Sequence, residues 1–421
     1  MLQSFFIVSS LLVTQIEASK EASEFTDEVA ALVQQLDDDL LSNRVAAEKE
    51  LIALGIKVLD HLPEVTNKTS AEVKQRLSRI RSALEKLAAA SATTASHVTL
   101  QGTMSLAEAL SAVQKQTGNK ISVDGLRGGD VKVDFKETPF WQALDVLLDQ
   151  GEQSINQYGG IANMLSLMSR DENAVDRSER AAYSGIFRFE ATQASAVRDL
   201  RNPSVNSMRL NVEVAWEPRT VPISLVMPVN QFTALDENGK SLPLDDNRSE
   251  LGAIVQAEMP MTDFVIPFVL PDRSSKKIAS VKGTLNALVP GRQEVFEFAN
   301  VMKLRDTQKK RGGLTLTFDR VFKNEDVYEF RIRIRVTDVD EAFQSHLVSW
   351  IRNNECYLVT PDGKTVGDPN YESYLQANDE IGMKYLFPLD EQPKGYKFVY
   401  KTPTAIVKST FDFELKDIEL P

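Results

Sequence analysis

Hydrophobic positions along this chain follow two rhythms. Across residues 26–87 they recur every three or four residues, the spacing of a buried helical stripe. In "SAEVKQRLSRIRSALEKL" the stripe is Val73, Leu77, Ile80, Leu84 and Leu87, with Thr69 and Glu72 at capping-box spacing. Upstream, "NRVAAEKELIALGIKVLDHL" runs through Ala47, Leu51 and Leu54, stops at Gly55 and resumes at Val58, Leu59 and Leu62. The tract "AAASATTAS" then breaks the pattern and predicts a linker.

Residues 97–170 mix both rhythms. "VTLQGTMSLAEALSAVQKQTG" and "VKVDFKETPFWQALDVLLDQG" each open on short alternation, pass a Ser or Thr, and become a helical repeat that closes on Gly. With "NKISVD" between them and "SINQYGGIANMLSLMSR" after, the order is strand, helix, strand, strand, helix, strand, with room for one more strand. Each helix is expected to lay its apolar face on the same small sheet.

From residue 183 onward strict alternation dominates, and it repeats. "MRLNVEVAWEP" aligns with "YEFRIRIRVTD", so that Leu210 falls on Ile334 and Val212 on Val336 without a gap. "FTALDENGK" aligns with "CYLVTPDGK", "FVIPFVLP" with "GMKYLFPL", and Phe296-Glu297-Phe298 with Phe411-Asp412-Phe413. Two tandem immunoglobulin-like antiparallel β-sandwiches, at 183–303 and 312–421, account for this best. "DENGK" and "TPDGK" are expected hairpin turns, where Asn-Gly or Asp-Gly supplies a positive φ. The predicted fold class is therefore multidomain α+β: a helical segment at 20–90, a small βαββαβ module at 97–170, and the two sandwiches.

Two stretches resemble known families. "AAEKELIALGIKVLDHL" resembles a HEAT-like helical pair. Such repeats need about three copies to stand alone, so this one reads as a packing or capping piece. "VKVDFKETPFWQALDVLL", with the element order around it, is similar to the secretin and TonB short N-terminal domain. That resemblance implies a bacterial envelope module that binds other proteins and carries no catalysis. Nothing after it reads as the outer-membrane barrel which that family usually precedes, so a gate or receptor role is not implied.

Bulk composition narrows the function classes. A length of 421 residues suggests about three domains. The net charge of −12 repels phosphate backbones, which argues against a nucleic-acid partner. Cys356 is the single cysteine, so neither an intrachain disulfide nor a multi-thiolate metal site is available. The histidines, His61, His97 and His346, are scattered, and no metal or cofactor is expected. The apolar run Phe5 to Val13 suits the core of a signal peptide at 1–19, with Ala18 as the cleavage position, and is too short to span a membrane. An exported, periplasmic or extracellular chain with no integral membrane segment after cleavage follows.

Candidate chemistry is sparse. "GLRGGD" contains a Gly-x-x-Gly but joins two strands, so it reads as a turn. Asp236, Glu237, Asp245 and Asp246 lie close together, yet the spacing does not fit an EF-hand loop and favours a hairpin with solvated charges. Trp141, Trp216 and Trp350 fit core or rim packing better than a sugar platform. Ser345 and His346 are adjacent, and neighbouring strand residues point to opposite faces. No Gly-x-Ser-x-Gly, His-Glu-x-x-His or phosphate-loop motif occurs, and no catalytic residue is assigned. Cys356 aligns with Phe232 and is expected to be a buried apolar substitute. Arg331, Arg333 and Arg335 share one face of a strand. They are the most localised positive feature and the one candidate for contact with a partner or an anion, set against pairing with acids on the adjacent strand.

The expected function is non-catalytic: an exported envelope protein that acts as an interaction or scaffold module. Envelope proteins would be its partners, engaged by adding a strand to an open edge of the α+β module. The alternatives are a carbohydrate- or matrix-binding protein that takes glycan on its sandwiches, and a hydrolase whose two carboxyl groups meet about 5–10 Å apart only in the fold.

Overall fold

The computed structural model describes residues 24–421 apart from 64, 66–68, 124, 127, 203–204, 246, 257, 312, 337–348, 353 and 378. The expected signal peptide (1–19), Asp246, Ser345 and His346 therefore lie outside the described residues. The fold is mixed α+β with several antiparallel sheets, and two compact units divide the chain after Ala90.

The first unit is helical. Helices α1 (24–35), α2 (Leu41–Ala53) and α3 (Ala71–Thr93) close over Val29, Leu36, Ala47, Leu51, Val58, Leu77, Ile80 and Leu84. Gly55, just past α2, takes a φ of +84°, which a side chain would resist. Three expectations need correcting. The cap of α3 is Ser70, whose Oγ accepts from Val73 N at 3.3 Å, one residue beyond the Thr69 that the spacing predicts. The buried stripe continues through Ala88 and Ala92, and Leu87 is 46% exposed, because the step after Leu84 is four residues and not three. The tract read as a linker continues α3 as far as Thr93, since its alanines are the strongest helix formers.

The second unit begins with the α+β module: β1 (His97–Ser105), α4 (Leu106–Thr117), β2 (Lys120–Ile121), β3 (Asp130–Pro139), α5 (Phe140–Gln150), β4 (Gln153–Asn156) and β5 (Met164–Ser169). Its strands divide between two sheets, the antiparallel pair β1-β3 and the order β2-β5-β4, and do not form the one small sheet expected. The reason lies in the helices. On α5 Phe140, Trp141, Ala143, Leu144, Leu147 and Leu148 are all buried, a belt wider than one sheet can cover. Ser105 caps α4 in a complete capping box with Glu108. Replacing Ser105 with Ala should lower stability by about 1 kcal/mol in urea titration, with the midpoint moving and the slope unchanged.

Two layered β-regions follow. The first contains β6 (Ala181–Ser184), β7 (Phe187–Arg198), β8 (Asn206–Trp216), β9 (Ser224–Pro228), β10 (Thr233–Asp236), β11 (Glu250–Ala253), β12 (Met261–Phe268) and part of β13 (Lys277–Ala299). The second contains β14 (Thr307–Arg311), β15 (Leu314–Asn324), β16 (Val327–Val336), β17 (Cys356–Val359), β18 (Thr365–Val366), β19 (Asn370–Gln376), β20 (Glu380–Pro388) and part of β21 (Lys397–Glu419). One sheet runs β12-β8-β7-β6, and its counterpart runs β14-β15-β16-β20-β19.

The remaining sheet belongs to both regions. Strands β13 and β21, each 23 residues long, pair antiparallel from Lys277–Glu419 to Ala299–Lys397. Their ends are exchanged. Phe296 and Phe298, late in the first repeat, sit in the core made by Phe318, Phe330, Ile332 and Phe398 of the second. Phe411, Phe413 and Leu415, late in the second repeat, sit in the core made by Phe187, Phe189, Leu210 and Phe264 of the first. The Phe413 ring stacks on Phe189 at 4.5 Å, and Phe411 meets Phe187 edge-on at 4.7 Å. Each repeat lends the end of its last strand to the other.

Candidate functional site

The outer face of the sheet β14-β15-β16-β20-β19 carries the predicted arginines. Arg331, Arg333 and Arg335 alternate along β16 with the buried Ile332 and Ile334, as the two-residue period requires. Each already has acidic company. Arg331 pairs with Glu329 at 2.9 Å, and its guanidinium lies 4.3 Å from the centre of the Phe322 ring. Arg333 reaches Asp319 at 2.8 Å, Asp306 at 3.0 Å and Glu380 at 3.7 Å. Arg335 reaches Asp379 and Glu380, both at 3.4 Å. Arg333 and Arg335 reach acids on the neighbouring strands and Arg331 reaches Glu329 on its own, so an incoming anion would have to displace carboxylates already in place.

Sheet edges differ from one another much more than this face does. An edge exposes unpaired N–H and C=O groups, and folded proteins cover or charge such edges. In the α+β module the helices do the covering. Gln116 at the end of α4 clasps the main chain of Thr99 on β1, accepting from its N–H at 2.9 Å and donating to its carbonyl at 3.0 Å. Gln150 at the end of α5 does the same for Lys132 on β3, at 2.9 and 3.1 Å. In the first β-region, residues 243–245 lie along the end of β12, with Asp245 N donating to Pro267 O and Val269 N to Pro243 O, both at 3.0 Å. Strand β14 carries Lys309, Lys310 and Arg311.

Strand β19 has none of these protections. Its seven residues, "NYESYLQ", contain no Lys, Arg or Pro, and all seven are exposed. Its one charge, Glu372, is neutralised by Lys384 on the neighbouring strand at 2.6 Å. A bulge at Tyr374 lays that ring over Gly382, where its hydroxyl donates to Asp319. The straight stretch Asn370–Ser373 is left with its outer side bare among the described residues. Tyr371 stands at the rim of the core, its ring 6.2 Å from that of Tyr385.

Other candidate residues turn inward. All three tryptophans are buried, so they form no indole platform. Trp141 Nε1 donates to Ile186 O at 3.0 Å and pins α5 to the first β-region. Cys356 is buried, and burial pushes its thiol pKa well up, away from the thiolate a nucleophile needs. Asp236 spends its carboxylate on the amides of Asn238 and Lys240 and on the hydroxyl of Ser275; Glu237 accepts from the amides of Lys276 and Lys277. "DENGK" and "TPDGK" are tight turns with Gly239 and Gly363 at positive φ. "GLRGGD" falls in the connection between β2 and β3.

Sequence reasoning missed two buried polar clusters. Asp145, fully buried on α5, accepts from Arg188 Nε at 2.6 Å, Tyr183 Oη at 2.8 Å and Arg177 Nε at 3.2 Å. Arg188, also fully buried, reaches Glu190 at 2.6 Å and Glu213 at 3.8 Å. Burial raises the Glu213 pKa despite the Arg188 and Arg177 charges nearby. In the second cluster the buried Glu217 accepts from Ser96 N at 2.8 Å, Ser96 Oγ at 2.7 Å, Asn119 Nδ2 at 2.9 Å and Arg219 Nε at 2.6 Å. Both clusters join the α+β module to the β-strands beside it, so these charges hold the unit together. A signal was present: Asp145 interrupts the apolar face of "WQALDVLL", and Arg188 sits between two core phenylalanines in "FRF". Known family models do not match the chain, and no curated protein matches it in sequence.

Proposed function

We propose that this chain is a non-catalytic interaction protein of the bacterial envelope, exported, which takes an extended segment of a partner protein as an added strand on β19. One observation carries the reading. Among the described residues, strand β19 alone combines length, full exposure and the absence of any cover, cation or proline, whereas Gln116, Gln150, residues 243–245 and the β14 cations occupy or guard the other edges named above. A strand added there gains affinity from main-chain hydrogen bonds to Asn370–Ser373 and an apolar contact with Tyr371. The place of engagement thus moves away from the α+β module, where Gln116 and Gln150 already occupy the main-chain groups of Thr99 on β1 and Lys132 on β3.

Supporting features are the resemblance of residues 97–170 to the secretin and TonB short domain, whose members bind proteins, and the immunoglobulin-like reading of the β-repeats. The buried tryptophans count against the glycan alternative.

Selection of displayed peptides on the full chain tests the proposal. Selected peptides should protect the amides of Asn370–Ser373 from hydrogen exchange. Tyr371→Lys should weaken their binding at least about tenfold while changing stability by only about 0.5 kcal/mol. Peptides that protect residues 97–170 instead, or that ignore the substitution, would show the reading to be wrong.

A further inference from the structure

A cleft of about 600 Å³ opens where the α+β module meets both β-regions, a size typical of small-ligand sites. Four prolines, Pro218, Pro222, Pro290 and Pro403, stand in its walls, so its shape is held by stiff backbone. Trp350, Val221, Ile223 and Val255 add apolar lining.

Two opposite charges in these walls have no partner among the described residues. Lys120, on β2, and Glu258, in the connection before β12, are both exposed, and neither forms an ion pair or a side-chain hydrogen bond. Standing in one cleft, they remain farther apart than the 4.0 Å of an ion pair. The other charges in the lining are spent. Arg292 pairs with Glu294 at 3.0 Å. Arg219 is locked by Glu217 and by the carbonyl of Thr94, both at 2.6 Å, and its backbone amide donates to Asn119 Oδ1 at 3.0 Å, beside Lys120.

We infer that the cleft binds a small zwitterion with an apolar body, an amino acid or a short peptide with free ends. Its carboxylate meets Lys120, its ammonium meets Glu258, and its side chain lies against Trp350 and the valines. A ligand with a single charge would engage one of the two side chains and leave the other to solvent, so a free zwitterion gains a second charge-assisted contact that a capped peptide lacks. The site is separate from β19 and stands or falls independently of the strand-addition reading.

Calorimetric titration of the full chain with leucine, with the tripeptide Ala-Leu-Ala, and with its N-acetylated and C-amidated forms tests this. At least one of the two free zwitterions should bind, and the tighter one identifies the source as free amino acid or peptide. Each capping should weaken the tripeptide about tenfold. Lys120→Gln should abolish the preference for a free carboxylate, and Glu258→Gln the preference for a free amine, each leaving the other preference intact. Both side chains are unpartnered, so the melting temperature of each variant should match the parent and exclude misfolding as the cause. Equal binding of capped and free forms, or no binding of either zwitterion at millimolar concentration, overturns the inference.

Discussion

Deleting residues 408–421 should unfold the first β-region, although those residues belong by sequence to the second repeat. The deletion removes Phe411, Phe413 and Leu415 from a core that also holds Phe187, Phe189 and Trp216. Truncating one buried phenylalanine costs about 3–5 kcal/mol, and a domain is stable by about 5–15 kcal/mol in all. Losing three core side chains together with the strand that pairs with β13 exceeds that margin. The readout is the indole N–H resonance of Trp216, which should collapse to its unfolded position. The single substitution Phe413→Ala should leave the fold intact and cost about 3–5 kcal/mol in urea titration. If Trp216 kept its native resonance after the deletion while only the second region melted, the strand exchange would be refuted.

That exchange shows what the sequence could convey. Matching Phe296–Phe298 with Phe411–Phe413 identified equivalent positions, and both pairs of phenylalanines are indeed core residues. Alternation reports which face of a strand is buried, but it carries no label for the sheet across from it. Strand β13 alternates over Val281–Ala287 and again over Val295–Ala299, and each stretch reads the same whether the two serve one core or two. The helical stripe was legible for the same reason in reverse: a period of 3.6 fixes the face of α3, and the neighbours are close in sequence. The arginine stripe was legible as a face, while its carboxylates on β15 and β20 were not, since cross-strand partners lie many residues away. The cleft is the extreme case, with walls drawn from Lys120, Glu258 and Trp350, residues that nothing local connects.

Replacing Arg188 with Met should cost about 3–5 kcal/mol, because it leaves Asp145 charged, fully buried and short of its nearest cation. Asp145→Asn combined with Arg188→Met should cost less than the sum of the two single changes, since the first no longer abandons a charge. The cluster sets three carboxylates, Asp145, Glu190 and Glu213, against two guanidiniums, Arg188 and Arg177. Glu213 bears the surplus: burial lifts its pKa above the ordinary 4.5. A carboxyl group that holds its proton more tightly when folded adds stability that is fully present below about 4.5 and is lost as the pH rises through the folded value. The penalty of Arg188→Met should therefore grow from pH 5 to pH 8, because removing Arg188 leaves burial to oppose the deprotonation of Glu213 without the cation that offsets it. Glu213→Gln should be neutral or stabilising at pH 8 and should flatten the pH dependence of the parent. These comparisons come from urea titrations at the two pH values. A penalty for Arg188→Met that is the same at both would mean that Arg188 acts through its packing volume, and that the module is held to the β-strands by shape and not by charge.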